Sequence, residues 1–270
     1  MTQLFATDLD GTLLNSSGGI SAANVAALKS AQNSGLHVVF VTGRPPRWMT
    51  EIGHITGMSG HAICANGALV LDIATGAVLQ ADFIDRELGL EAVNRLRRID
   101  PDISFAVELA DDEVSFIIDE KYRPRWETQQ EVPRVAVEEM FNTGRVIKLL
   151  ARPSEQAKLD ADQFVSAAQS VAADIVDLTH SNIADVLLEM SPGGINKGTA
   201  LAKFARNLGV SQSAVAAVGD MPNDVPMISW AGKGAAVANA HESVKAVADV
   251  MLPSNDEDAV AVFIQKLLGA

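Results

Sequence analysis

Leu4-Phe5-Ala6-Thr7-Asp8-Leu9-Asp10-Gly11-Thr12-Leu13-Leu14 decides how the rest of the chain is read: a short apolar strand runs straight into two carboxylates, a glycine and a threonine. Alternate side chains on an extended strand point to opposite faces. The chain must therefore bend after Asp8 if both acids serve one site, and Gly11 permits that bend. A carboxylate at a strand's end in this setting suits attack on phosphorus beside a metal. Read alone, Asp-x-Asp-Gly also opens many turns and resembles the start of a calcium loop. Such a loop needs more oxygen ligands and a closing glutamate, and Leu13 and Leu14 stand there instead.

Outward from this stretch, strand and helix alternate. Ser21 caps a helix that carries Val25 and Leu28 on one face and runs toward Gly35. His37-Val38-Val39-Phe40-Val41 is a near-continuous apolar run, as a parallel strand buried on both faces should be. A second helix reaches about Gly57, and Ala62-Ile63-Cys64-Ala65 begins another strand. This βαβαβ order predicts a doubly wound, mostly parallel, Rossmann-like α/β sheet with right-handed crossovers.

The middle reads differently. A helix over 88–99 precedes strands over 103–109 and 114–119, joined by the polar turn Ala110-Asp111-Asp112-Glu113. A further helix, a strand over 145–150, a helix from Ser154 and strands over 175–179 and 185–190 follow. Hairpins mixed with helices predict an α+β insert on an open-faced antiparallel sheet. After Ser191-Pro192-Gly193-Gly194 the alternation returns, with a helix from about Lys197, a strand over 214–218, a helix, a strand over 235–237 and a closing helix. The expected plan is a discontinuous core (1–83 and 190–270) interrupted by an inserted domain (84–189).

The 270 residues can bury a large core, and their apolar runs are strand-length. No secretory signal or membrane span is expected. Cys64 is the only cysteine, which predicts a small core residue and a reducing, cytoplasmic setting. A net charge of −13 argues against a nucleic-acid binder. Any anionic substrate must then meet local cations, backbone N–H groups or a metal.

Three further segments end predicted strands or open helices. Thr42 and Gly43, before Arg44, offer a hydroxyl and an unencumbered N–H to one phosphate. Lys197 opens a helix, where the macrodipole disfavours a cation, so its place asks for an anionic neighbour. Gly219-Asp220-Met221-Pro222-Asn223-Asp224 follows an apolar strand and puts two acids one turn apart, which suits a hard cation. The competing reading has Asp220 capping the helix, with Asn223 and Asp224 in its first turn. Open α/β sheets bind ligands at the carboxyl ends of their strands, so these segments are expected to converge on one crevice.

Asp8-Leu9-Asp10-Gly11-Thr12, Thr42-Gly43-Arg44, Lys197 and Gly219-Asp220-x-x-Asn223-Asp224 resemble, in order, the four motifs of the haloacid-dehalogenase-like phosphatases. Asn66-Gly67-Ala68, the stretch Pro192-Gly193-Gly194-Ile195-Asn196-Lys197-Gly198 and Val237-Ala238-Asn239-Ala240 resemble its Cof-type branch, which carries an inserted type IIB cap. One departure is Ala259 after Asp258, where the branch usually has glycine. The resemblance implies that Asp8 is a nucleophile forming an aspartyl-phosphate and that Asp10 is the acid and base. It also implies Mg2+ held by Asp8, the Asp10 carbonyl oxygen and Asp220, with Asp224 and Asn223 behind it or on the phosphate. Lys197, Thr42, Gly43 and Arg44 would bind the phosphoryl group. The implied partner is a small phosphorylated metabolite, a sugar phosphate or a phosphorylated cofactor. The basic residues Arg47, Arg123, Arg125, Arg145 and Lys148, with Trp48 and Trp126, are candidates to meet its leaving group.

Other readings share parts of this pattern. A dehalogenase would not need Asp10 and Asp220 together, a phosphomutase would return the phosphoryl group to a sugar, and a receiver-type phospho-aspartate module would be about half this length. A P-type pump needs membrane spans. Gly232-Lys233-Gly234-Ala235-Ala236-Val237 lacks the third small residue of a dinucleotide fingerprint.

Overall fold

The structure is a computed structural model and describes residues 1–110, 114–124 and 132–269. The elements run β1 (Leu4–Thr7), α1 (Ala22–Asn33), β2 (His37–Val41), α2 (Met49–Thr56), β3 (His61–Cys64), β4 (Leu69–Asp72), β5 (Val78–Ala81), α3 (Arg86–Leu96), β6 (Ser104–Leu109) and β7 (Phe116–Ile118). They continue with α4 (Val137–Thr143), β8 (Val146–Arg152), α5 (Ala161–Ala172), β9 (Val176–Thr179), β10 (Leu188–Pro192), α6 (Lys197–Asn207), β11 (Val215–Gly219), α7 (Val225–Trp230), β12 (Lys233–Ala236), α8 (Glu242–Lys245), β13 (Val250–Met251) and α9 (Ala259–Leu268).

The chain forms two compact units, Met1–Gln80 with Asn196–Ala270, and Ala81–Ile195. The first holds an eight-stranded sheet in the order β13-β12-β11-β1-β2-β3-β4-β5. The six strands from β13 to β3 are mutually parallel, and β4 turns back antiparallel to β3. β1 and β11 are buried along their whole length, which explains their nearly continuous apolar sequences. Phe5 of β1 meets Phe263 of α9 edge to face, with ring centroids 6.0 Å apart. Chain order reverses across β1, with β2 on one side and β11 on the other. That reversal is the switch point where such sheets open a crevice beyond the carboxyl ends of their strands.

The second unit is a five-stranded sheet in the order β7-β6-β8-β10-β9. The β6–β7, β6–β8, β8–β10 and β9–β10 pairings are antiparallel. Its core gathers Phe105, Val107, Leu149, Leu188 and Met190 with Ala92, Leu96, Phe164 and Ala168 from α3 and α5. On β8 the buried Lys148 pairs with Glu189 of β10, and the buried Arg152 pairs with Asp185, which precedes β10. Among the described residues no helix is long and apolar enough to cross a membrane.

The structure corrects the expected helix from Ser154. Residues Glu155–Ala157 form one short turn, Lys158 adopts φ 49°, and α5 begins only after Asp160. Asp160 caps it by accepting from Gln163 N–H, with the Gln163 side chain accepting from Asp160 N–H in return. β4, β5 and β13 are additional to the expected strands, and β10 starts at Leu188 rather than near 185. Of the expected turn at 110–113, residues 111–113 lie outside the described residues.

Candidate active site

The chain leaves the carboxyl ends of β1, β2 and β11 in three turns. After Asp8 it makes a wide turn closed by Leu14 N–H donating to the Leu9 carbonyl at 2.8 Å, with Gly11 at φ 75°. A Cβ at Gly11 would stand 2.3 Å from Asp220 Oδ2, so glycine serves both the backbone angle and the close approach. This bend sends the two opening carboxylates to different surroundings: Asp8 is buried, while the Asp10 side chain is 56% exposed.

Asp8, Asp220 and Asp224 each bring a carboxylate oxygen within 4.8 Å of the other two. Lys197 Nζ lies 2.6 Å from Asp8 Oδ1 and 2.5 Å from Asp224 Oδ1, with no solvent exposure. This is the anionic neighbour that a lysine at the first position of α6 requires. Thr12 Oγ1 donates to Asp220 Oδ1 at 3.1 Å. Asp224 Oδ2 accepts from the N–H groups of Asp220 and Met221 at 2.9 and 3.0 Å, so Asp224 ties Lys197 to the turn after β11. Asp220 does not cap α7: residues Pro222–Asp224 form a separate tight turn, and the Asp224 side chain closes it.

Three carboxylates against one ammonium leave a negative excess in a buried site, and the ionisation of the group records it. Burial, reinforced by Asp224 and only partly offset by Lys197, pushes Asp8 up to about 7. Burial, then Asp8 and Asp224, pushes Asp220 up to about 9. Burial works against the Lys197 charge, but Asp224 and Asp8 outweigh it and hold the ammonium above its usual range. An all-oxygen donor set with excess negative charge fits a hard divalent cation.

Around this cluster, Thr42 is buried at the end of β2, its Oγ1 accepting from Arg44 N–H at 3.0 Å, and half-buried Gly43 lies between them. Arg44 donates Nε and Nη2 to the two oxygens of Asp10, at 2.7 and 2.6 Å. Burial lowers and Asp10 more than restores the Arg44 pKa, which ends above its usual value. Asp10 therefore sits in a fork with Arg44 rather than in the acidic cluster. Asn223 is buried, and its Nδ2 donates to Asn66 Oδ1 at 3.1 Å. The sequence reading missed this contact, as well as Thr12 against Asp220 and Asn239 Nδ2 on the Gly11 carbonyl at 2.8 Å. The Asn66-Gly67 pair did carry a signal, a dipeptide suited to positive φ, and Asn66 adopts φ 57°.

The leaving-group candidates have diverse surroundings. The Arg44 and Arg47 guanidiniums lie 5.6 and 5.5 Å from the Trp48 ring. Arg123 donates to the Glu120 and Tyr122 carbonyls, Arg145 lies over Phe83, and Lys148 is held by Glu189. Arg125 and Trp126 lie outside the described residues.

The buried aspartate–lysine pair thus lies at the carboxyl edge of a doubly wound α/β sheet. The chain belongs to the haloacid dehalogenase-like hydrolase family, whose model matches residues 5–264. It is 29% identical to phosphatase YwpJ of Bacillus subtilis, over 98% of this chain and all of that protein. It is also 29% identical to the 5-amino-6-(5-phospho-D-ribitylamino)uracil phosphatase YcsE of Bacillus subtilis, over 97% of this chain and 94% of that one. The solved structure of a haloacid dehalogenase-like hydrolase from Bacillus subtilis superposes with a TM-score of 0.82 at 26% identity, covering 98% of this chain and 100% of that one. Within this family the chain is a phosphoric monoester hydrolase.

Proposed function

We propose that the chain is a magnesium-dependent phosphatase that hydrolyses a small phosphorylated metabolite through an aspartyl-phosphate on Asp8. The observation that carries this reading is the Asp8 carboxylate, buried 2.6 Å from Lys197 Nζ and next to Asp220 and Asp224. A carboxylate approaching a phosphate dianion meets roughly 4 kcal/mol of repulsion per charge pair at 4 Å in partly solvated protein. Lys197 offsets part of it with a fixed charge. Mg2+, held by Asp8, the Asp10 carbonyl oxygen and Asp220 with Asp224 behind them, would supply the remaining charge and align the reactants.

Asp8 attacks phosphorus as the bond to the leaving oxygen breaks, and Asp10 gives that oxygen a proton. Asp10 then takes a proton from the water that cleaves the acyl-phosphate, restoring Asp8 and releasing inorganic phosphate. Thr42, Gly43 and Asn223 hold the non-reacting phosphoryl oxygens. Arg44 pairs with both Asp10 oxygens, an arrangement that suits the ionised carboxylate, so Asp10 must leave this fork to carry the proton it gives the leaving oxygen.

The inserted domain acts as the cap that selects the leaving group, in a cytoplasmic enzyme whose substrate is a sugar phosphate or a phosphorylated cofactor. The relative that acts on 5-amino-6-(5-phospho-D-ribitylamino)uracil supports this class, since that molecule is a small phosphorylated metabolite. The test is phosphate release from a panel of phosphorylated metabolites with and without Mg2+. Mg2+-dependent release from some of the panel is expected. An isomerised product without free phosphate would select a mutase, and a lasting phospho-aspartate without turnover would select a signalling module.

A further inference from the structure

The Asn66–Asn223 contact joins segments far apart in sequence at the end of the sheet where the acidic cluster lies. Asn66 follows β3 in the left-handed region, at φ 57° and ψ 26°, and is 2% exposed. Its N–H donates to the Thr42 carbonyl at 3.1 Å, and its Oδ1 accepts from Asn223 Nδ2 at 3.1 Å. The next residue, Gly67, packs so closely that a Cβ would stand 2.6 Å from the carbonyl of Asn196, the residue that caps α6 just before Lys197. One turn thus touches the Thr42 loop, the start of the Lys197 helix and the Asn223 side chain.

Asn223 Oδ1, at the other end of the same amide, is buried and has no donor among the described residues. An amide with one end fixed presents its other end in a fixed direction. Here the fixed end is the Nδ2, which donates to Asn66 and keeps its second N–H for an acceptor such as a phosphoryl oxygen, and the opposite end is an acceptor that only a donor from solvent or a bound group can satisfy. A buried acceptor left without a donor is expensive, so this orientation needs a device that enforces it.

We infer that Asn66 is a positioning residue of the phosphoryl site, acting through Asn223: its side chain sets which way the Asn223 amide faces, while its backbone keeps the Thr42 loop in register with it. This rests on the phosphatase reading above. Second-partner hydrogen bonds of this kind orient the groups that touch a reacting centre, and losing one commonly lowers activity ten- to a hundred-fold.

The informative variant is Asn66→Gly, because glycine keeps the left-handed backbone while deleting the side chain. Its kcat/KM on a phosphomonoester that the wild type hydrolyses is expected to fall roughly ten-fold or more, in line with one lost buried hydrogen bond. Its thermal midpoint is expected to fall by several degrees for the lost buried hydrogen bond, so kcat/KM is compared at a temperature where both enzymes are fully folded. Asn223→Ala is expected to lose a similar factor, and the double variant no more than the worse single one, since both remove the same orientation. Inhibition by inorganic phosphate gives a readout separate from turnover, and its inhibition constant should rise in all three variants. Multiplicative losses in the double variant, or an Asn66→Gly enzyme with wild-type kcat/KM and phosphate inhibition, would overturn the inference. Asp8→Asn run alongside separates the two readings: if it retains turnover, the phosphatase mechanism itself fails, whatever Asn66 does.

Discussion

Lys197→Met tests whether the buried ammonium holds the acidic cluster together. Methionine keeps most of the length and apolar stem of lysine and removes only the charge and its donors. In the native site that charge meets Asp8 and Asp224 at 2.6 and 2.5 Å with no solvent exposure. Breaking a buried ion pair by deleting one partner costs about 3–5 kcal/mol, because the other partner stays buried without compensation. For a chain of this size that corresponds to a fall of roughly 6–20 °C in the midpoint of the core's thermal transition.

The loss depends on pH. Asp8 and Asp220 already sit high, at about 7 and about 9, and without Lys197 they rise further and take up protons as the pH falls. The deficit is therefore larger at pH 8 than at pH 6, and Mg2+ narrows it at either pH by restoring positive charge. Turnover should drop by more than the stability loss explains, at temperatures where the variant is fully folded. Midpoints within about 2 °C of wild type at both pH values would refute the reasoning, since a buried pair of this kind cannot be removed at so small a cost.

Cation binding should release protons. Asp8 and Asp220 are raised to about 7 and about 9 in the metal-free chain, and a bound cation needs them ionised. Between pH 8 and pH 6 the apparent Mg2+ affinity is expected to fall roughly ten-fold or more per pH unit, and calorimetry in buffers of different ionisation enthalpy should detect the released protons. The stability of the metal-free chain carries the matching sign. Both carboxylates have folded values above the ordinary 3.8, so the folded state binds more protons than the unfolded one and loses stability as pH rises through 7 and 9. A metal-free midpoint that rises over that range, or pH-independent Mg2+ binding, would contradict this. Gly11→Ala, which would drive a Cβ to within 2.3 Å of Asp220 Oδ2 at φ 75°, is expected to weaken Mg2+ binding and cut turnover while leaving the inserted unit's transition unchanged. An unaffected Mg2+ affinity would show that the Asp8–Asp10 turn is not rigid.

The core was legible in sequence where a residue's need is local. The apolar run of β1 ending in Asp8, the helix-opening Lys197 and the acids after β11 each stated a requirement that the structure meets within one site. Asp10 was legible as a carboxylate, but its fork with Arg44 was not, because that depends on how far Gly11 turns the chain. β4 was missed because it follows β3 after only a short turn of buried small residues, and both strands read as one apolar stretch. The start of α5 was misplaced because Ser154 is as good a cap as Asp160, and only the left-handed Lys158 ends the first turn. The Asn66–Asn223 hydrogen bond spans 157 residues, and neither asparagine announces its partner. Local propensity carries no information about such pairs, which arise from the order of strands in the finished sheet.

The central claim is that the Asp8 carboxylate becomes covalently phosphorylated during turnover. The direct measurement is acid quench of the wild-type enzyme during steady-state hydrolysis of an active phosphomonoester with Mg2+, followed by peptide mass spectrometry, with Asp8→Asn and Asp10→Asn in parallel. The expected result is one phosphoryl group on the peptide carrying Asp8, none in Asp8→Asn, and a species in Asp10→Asn that decays more slowly than in wild type. A wild-type enzyme that turns over without phosphate on Asp8, or an Asp8→Asn enzyme that keeps its rate, would contradict it.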